Sequence, residues 1–238
     1  MVFAKPSGCG RLPLRQMQLA AFLESVARYA PYHSTDVCQS VGVNFEREVR
    51  AFLGEHERVV FHTDDDVFYR RAWGPPDHWQ AVHSIRLGVN TSYQQTTGHL
   101  QQLPAEPLDT QLLWKWRDAG GDFGYPLSLN ATVYRSADLL PLMDFSFSNP
   151  TQLEAQLAAR ADRFTPEWMT APLHSCCVSI PLNRVTTDSR NPISDNPDWS
   201  APALAKLYEE GWRMDLDAMD FTNVIGAHQV IEPRFHRV

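Results

Sequence analysis

The 238-residue sequence predicts an α/β domain, on three observations. Segments of strand character and segments of helical periodicity alternate through the first half, the pattern of a nucleotide-binding α/β unit, and mix less regularly afterwards. A β-branched run, Arg58-Val59-Val60-Phe61-His62-Thr63, stops abruptly at Asp64-Asp65-Asp66. Hydrophobic residues make up 43% and charged residues 21%, which supports a real core and excludes disordered and fibrous classes.

The elements follow from local pattern. Met1–Ala4 reads as a short first strand, and a helix is expected from Leu14 to Tyr29, where Met17, Ala20, Ala21, Val26 and Ala27 recur near helical spacing before Pro31 stops it. A polar strand over Ser34–Gln39 and an amphipathic helix over Phe45–Leu53 come next, then the Arg58–Thr63 strand. Trp79–Leu87 alternates like another strand, and Gln111–Trp116 reads as a short extended or helical piece. Asn149-Pro150-Thr151-Gln152 opens a helix to about Arg163, with Asn as N-cap, Pro at the first helical position and Gln at the third. Cys176–Leu182 is an apolar stretch and 183–199 a loop rich in Pro, Asn and Asp. A helix over Pro202–Glu210 closes at Gly211, and Asn223–Phe235 is the last segment. No repeat or linker divides the chain, so one domain is expected, a nucleotide-binding α/β half joined to a more irregular half.

Charge narrows the partners. Acids outnumber bases 28 to 21, for a net charge of −7. Only Lys5, Lys115 and Lys206 are lysines, so no polybasic stripe faces a nucleic acid backbone. No apolar run has the length of a membrane span and the N-terminus has no hydrophobic signal region, which leads to the expectation of a soluble, cytoplasmic protein. Cys9, Cys38, Cys176 and Cys177 form no CxxC spacing and read as reduced packing thiols.

The acidic triplet is the sharpest chemical feature. Acids ending a hydrophobic strand lie at the carboxyl edge of a sheet, where α/β proteins place ligands. Period two puts Asp64 and Asp66 on one side, and two carboxylates so placed repel unless a cation such as Mg2+ or Mn2+ lies between them. The alternative is a solvated acidic turn. Arg86 offers a planar fork to a diphosphate or to an acceptor carboxylate, or else sits in a buried ion pair. Gly120-Gly121-Asp122 followed by Phe123-Gly124-Tyr125 combines backbone freedom, a carboxylate and an aromatic face, a kit for gripping a sugar, or else forms a tight turn. Glu154 stands near a helix start, and His228 offers an imidazole near the C-terminus. The remaining histidines show no zinc spacing, and His62 reads as a packed residue.

The stretches Gln18–Ser25, Val59–Arg70, Ser84–Asn90, Asp122–Leu129, Asn149–Glu154 and Ile180–Val185 resemble, in this order, a family of bacterial glycosyltransferases of the GT-A type, glycosyltransferase family 2-like. That resemblance implies a GT-A fold, a single domain over 1–238 with a central mixed sheet, a nucleotide- and metal-binding half over 1–90 and an acceptor and catalytic half over 91–238. It implies a donor linked to UDP, GDP or dTDP, an acceptor hydroxyl, and Mn2+ or Mg2+ on a DxD motif matched by Asp64 and Asp66, with His228 as third ligand. It implies Glu154 as the base of an inverting transfer, and Lys5, Asp64, Asp65, Arg86, Asp122 and Tyr125 as residues facing the donor. Asn130-Ala131 stands where the family more usually has Asp-Gly, and Gln94-Gln95 follows Tyr93 in place of a Cys-aromatic pair. Two other readings are a metal-dependent nucleotidyltransferase or nucleotide-sugar hydrolase, and a non-catalytic binder of sugars, nucleotides or proteins.

Overall fold

The computed structural model describes residues 2–5, 16–29, 37–39, 44–72, 80–183 and 193–238. In chain order they form β1 (Val2–Lys5), α1 (Gln16–Tyr29), β2 (Val37–Gln39), α2 (Phe45–Glu55), β3 (Arg58–Thr63), β4 (Asp66–Phe68), β5 (Val82–Ser84), β6 (Tyr93–Gln94), β7 (His99–Leu100), β8 (Gln111–Lys115), β9 (Thr132–Arg135), α3 (Ser136–Leu139), α4 (Pro150–Ala158), β10 (Trp168–Pro172), β11 (Cys177–Ser179), α5 (Ala201–Glu209), β12 (Trp212–Met214) and β13 (Phe235–Arg237). Residues 34–36, Trp79 and 184–192, on which parts of the sequence expectations fall, lie outside the described residues.

Seven strands make one mixed sheet in the order β2-β1-β3-β9-β5-β10-β8. β1, β2 and β3 run parallel, as do β5 and β10, while β9 is antiparallel to both β3 and β5. The strands come from both halves of the chain, and β9 from the second half is inserted between β3 and β5 of the first. Because β9 runs backwards, the residues just before its start lie at the same edge as the residues just after β3 and β5. That edge therefore gathers Asp64–Asp66, Arg86 and Asn130. Two-stranded ribbons β4-β11, β6-β7 and β12-β13 complete the strands.

Alternation along β3 explains why both faces are covered. Val59 and Phe61 enter a cluster with Phe45, Val49, Phe52 and Leu53 of α2, Trp114 of β8, Tyr134 of β9 and Leu153 and Leu157 of α4. Val60 points the other way, into a cluster with Phe22 of α1, Phe68 of β4, Ile85, Val133 and Cys177. A third cluster joins Met17 and Ala21 of α1 to Leu204 of α5 and to Met214, Leu216 and Ile231 near the C-terminus. The buried residues of α2 recur at i, i+4, i+7 and i+8, the stripe that seats a helix on a sheet. On α1, Ser25 Oγ donates to Phe22 O (2.7 Å) and accepts from Phe68 N (3.0 Å), which docks the helix on β4. No helix among the described residues is long and apolar enough to cross a membrane.

The helix expected over 149–163 is shorter. Asn149 caps it as the sequence predicts, accepting from Gln152 N at 2.9 Å, and Gln152 Oε1 reaches back to Ser148 N at 3.0 Å. It ends at Ala158 because Arg160 leaves helical dihedrals (φ −114, ψ 16), and Arg160 and Arg163 both turn to Asp144 at 2.8 and 2.9 Å. The cap supplies a prediction. Asn149→Ala removes one acceptor for a helix-start donor, so unfolding free energy should fall by about 1 kcal/mol and the melting temperature by about 2–4 °C, measured by urea and thermal denaturation.

Candidate functional site

The triplet does not lie on one strand face. Asp64 and Asp65 form a turn between β3 and β4, so the strand alternation that would place Asp64 and Asp66 side by side is broken there. Asp66 is not solvated either: it is 1% exposed and Asp64 is fully buried, leaving Asp65 as the half-buried member. The acids thus form neither a same-side Asp64/Asp66 pair on a strand nor a solvated turn, because the chain turns at Asp64-Asp65 to pair β4 with β11 and buries Asp64 and Asp66.

Asp66 is a hub. Its Oδ2 accepts from His62 Nδ1 at 3.0 Å and from Thr63 N at 3.2 Å. Its Oδ1 accepts from Asn130 Nδ2 at 3.3 Å and from Ser179 Oγ. These four donors occupy the lone-pair positions of a carboxylate. Burial pushes the Asp66 pKa up, but the His62 hydrogen bond and charge, followed by Ser179 and Asn130, outweigh it and hold the group below the usual carboxylate range. The imidazole of His62 sits between the rings of Phe22 and Phe68, each 5.2 Å away, so the packed histidine of the sequence reading is also the partner of Asp66.

Two of these donors come from positions fixed by the sheet. Ala131, beside Asn130, has φ +43, a left-handed conformation that costs a non-glycine residue about 1–2 kcal/mol. It is held because Ala131 N donates to Phe61 O and Ala131 O accepts from Ile85 N, both at 2.8 Å, bridging β3 and β5. Glycine would adopt this backbone without that cost. Ser179 pairs with Asp66 in the β4-β11 ribbon, and its backbone also bonds Ala227 O (3.0 Å) and Gln229 N (2.9 Å), flanking His228. Asp66 is thus tied through one residue to the His228 loop.

Above the hub, residues far apart in sequence converge on Arg86. Its Nη1 lies 3.6 Å from Asp122 Oδ1 and 3.4 Å from His228 Nε2. Asp122 is clasped by Gln101, whose Oε1 accepts from Asp122 N (2.8 Å) and whose Nε2 donates to Asp122 Oδ2 (3.3 Å). Gly121 (φ +60) passes so close that a Cβ there would meet Gln101 Oε1 at 2.4 Å. Glu154, on α4, accepts from Leu129 N at 3.3 Å and from the Tyr125 hydroxyl. Burial pushes the Glu154 pKa above the ordinary range, and Arg86 and these donors pull it only partly back. Tyr125 is pushed well up by burial and by the Glu154 charge, so its hydroxyl stays a donor. Burial first and Arg86 second lower the His228 pKa, against the opposing charges of Asp122, Asp65 and Asp66, so the imidazole is neutral near pH 7.

The structure thus brings Asp65, Asp66, Arg86, Asp122, Tyr125, Glu154 and His228 together. Lys5 ends β1, and its side chain lies outside the described residues. His62, Gln101, Asn130 and Ser179 were not read as site residues from the sequence; His62 carried a signal, since period two places it with Val60 on a buried face where a polar group needs a partner, and Asn130 was marked only as a departure from Asp-Gly.

Carboxylates and a neutral imidazole are donors that suit Mn2+ or Mg2+. Asp66 has no acceptor position to spare, and the carboxylates whose charges act on His228 are Asp122, Asp65 and Asp66. A second set, His62, Asp66 and Cys177, has ligand atoms within 4.8 Å of one another. Burial, then the charges of Asp66 and Asp65, hold the Cys177 thiol protonated, and Asp66 is already saturated, so this set reads as a packed network. No family model, curated protein or solved structure matches the chain.

These roles separate by stability. Asp66→Ala takes the acceptor from the His62 ring, Thr63 N and the Ser179 hydroxyl, Asn130 keeping Thr63 Oγ1, and should cost roughly 3–5 kcal/mol, whereas Asp65→Ala should cost under about 1 kcal/mol. Urea denaturation of the two variants measures the difference.

Proposed function

We propose that the chain is a metal-dependent glycosyltransferase of the GT-A type that moves a sugar from a nucleotide-sugar donor to an acceptor hydroxyl. One observation carries this reading: three acids, a guanidinium and a neutral imidazole, drawn from five segments, meet over the buried Asp66 at the edge where β3 and β5 end. Acids at the carboxyl ends of parallel strands can hold a cation and with it a diphosphate, and a carboxylate of raised pKa on a nearby helix can take a hydroxyl proton.

Asp65 and His228 would hold the ion, with Asp66 fixing the turn beneath. When bound, Mn2+ or Mg2+ supplies a positive charge that neutralises the departing diphosphate. Glu154 takes the proton of the acceptor hydroxyl as that oxygen bonds to the anomeric carbon. The bond from that carbon to the donor phosphate oxygen breaks, and its electron pair leaves with the nucleoside diphosphate. Attack from the face opposite the leaving group inverts the anomeric centre. Tyr125 and Leu129 N, by donating to Glu154, fix which oxygen lone pair meets the acceptor. Asp122, clasped by Gln101, is placed to accept from a sugar hydroxyl.

A base acts only when deprotonated, and Glu154 has a raised pKa, so the acid limb of the transfer rate should fall off above the ordinary Glu range rather than within it. A pH–rate profile checks the position of that limb, and in Glu154→Gln the limb should vanish together with roughly a hundredfold to ten-thousandfold of the rate. Donor binding should survive that change. Melting temperature followed against Mn2+ and a panel of UDP-, GDP- and dTDP-sugars tests the reading as a whole. A donor site raises the temperature by mass action, by an amount set by ligand excess over Kd. The shift should need metal and should disappear in Asp65→Ala. No shift with any donor would remove the proposal.

A further inference from the structure

Glu154 takes two donors from one short segment of chain. Leu129 N donates to Glu154 Oε1 at 3.3 Å, and the Tyr125 hydroxyl donates to the same carboxylate. Between these two residues lie Pro126, Leu127 and Ser128, all buried. Irregular backbone taken out of water must find donors for its carbonyls, because each one left without a partner costs the desolvation of that group. The carbonyls of Pro126 and Ser128 meet a single group, the hydroxyl of Tyr134, at 3.0 Å and 2.6 Å.

Tyr134 is itself held by the sheet. It lies in β9 opposite Val59 of β3, its ring is 6.1 Å from that of Phe61, and it is buried in the cluster that seats α2 and α4. A phenol carries one hydrogen, which is shared here between two carbonyls and leans to Ser128 O, the nearer. Burial first and the Glu154 charge second push the Tyr134 pKa up, so the hydroxyl stays a donor. Ser128 Oγ, accepting from Asn130 N at 3.2 Å, ties the same segment to the chain that enters β9. The bonds thus run from a central strand to the segment, and from both ends of the segment to Glu154.

A core tyrosine needs some acceptor for its hydroxyl, and a remote carbonyl would serve for packing alone. The two carbonyls bonded here lie between the two donors of one carboxylate. We propose that Tyr134 is a positioning residue for Glu154, its hydroxyl holding the 126–128 segment so that Tyr125 and Leu129 both stay on the carboxylate. The catalytic consequence rests on the reading of Glu154 as proton acceptor, whereas the bonding itself does not. The charged and titratable groups acting on Glu154 are Arg86 and Asp66 from the sheet edge and Tyr125 from the segment, with Tyr134 behind it. Tyr134→Phe keeps every charge and the ring and removes only the hydroxyl. The donors then loosen, and a carboxylate with weaker donors holds its proton more tightly.

Carbon-13 at the glutamate carboxyls, with the Glu154 signal assigned through Glu154→Gln, lets its titration be followed by NMR in the full chain without substrate or metal. In Tyr134→Phe the midpoint should rise by about half to one pH unit. Tyr125→Phe, which removes one donor directly, should move it the same way. Leu204→Val shortens a buried side chain in the separate cluster under α5. It should lower the melting temperature, as Tyr134→Phe does, yet leave the Glu154 midpoint in place, which separates positioning from stability. If Tyr134→Phe does not fold, hydrogen exchange in the unmodified protein decides: a segment held by β9 keeps the Leu129 amide as protected as the Tyr134 amide, opening only with the sheet. An unchanged midpoint in Tyr134→Phe, a fall toward the ordinary glutamate value as entering water would cause, or a Leu129 amide exchanging far faster than that of Tyr134 would each overturn the inference. Failure of the broader reading looks different: a midpoint that rises in Tyr134→Phe while Glu154→Gln keeps full transfer upholds the positioning and removes Glu154 from the reaction.

Discussion

A carboxylate withdrawn from water must be met by protein donors, and Asp66 is met by four: the ring of His62, the backbone of Thr63, the amide of Asn130 and the hydroxyl of Ser179. The donors come from three places, the end of β3, the residue pair before β9 and the ribbon strand β11, so one buried charge sets where β3 ends, where β9 begins and where β11 lies. The cost of leaving any of these groups unpaired in a low-dielectric interior is larger than the net gain of an ordinary hydrogen bond, which makes the arrangement intolerant of alternatives. The strained Ala131 is the counterpart of this demand: its backbone must bridge β3 and β5 while its neighbour turns an amide onto Asp66.

The antiparallel insertion of β9 does the rest. In an all-parallel sheet the residues before a strand lie at the far edge, away from those after its neighbours. Reversing one strand brings Ser128–Ala131 beside Asp65 and Arg86, and with them Leu129, whose N–H orients Glu154. His228 is delivered from the opposite end of the sequence by a single bridge to Ser179. The outcome among the described residues is a saturated network around Asp66 beside a charge-rich group in which the Arg86 Nε has no partner.

Sequence pattern revealed the elements whose signals are local. Arg58–Thr63 is β-branched and bounded by acids, the stripe of α2 is regular, and the Asn149 cap and the Gly211 stop, at φ +88, use the chemistry of helix ends. The central strands β9 and β10 were invisible. Thr132–Arg135 follows Asn-Ala with no glycine to mark a turn, and Trp168–Pro172 ends in proline and mixes Met, Thr and Ala, so only their place between other strands makes them strands. The acids of the triplet could be seen but not their facing, because a two-residue turn cancels the period on which facing depends. Arg86 and His228 meet across 142 residues, a juxtaposition that no spacing in the sequence encodes.

The central claim is that Asp66 anchors while Asp65 and His228 receive. Anomalous diffraction from a crystal soaked with Mn2+ and a nucleoside diphosphate tests it most directly. The account predicts a manganese peak at a coordination distance of roughly 2.0–2.6 Å from Asp65 and His228, with Asp66 still bonded to His62, Asn130 and Ser179. A peak between His62, Asp66 and Cys177, or one that strips Asp66 from its donors while leaving Asp65 uncoordinated, would contradict it.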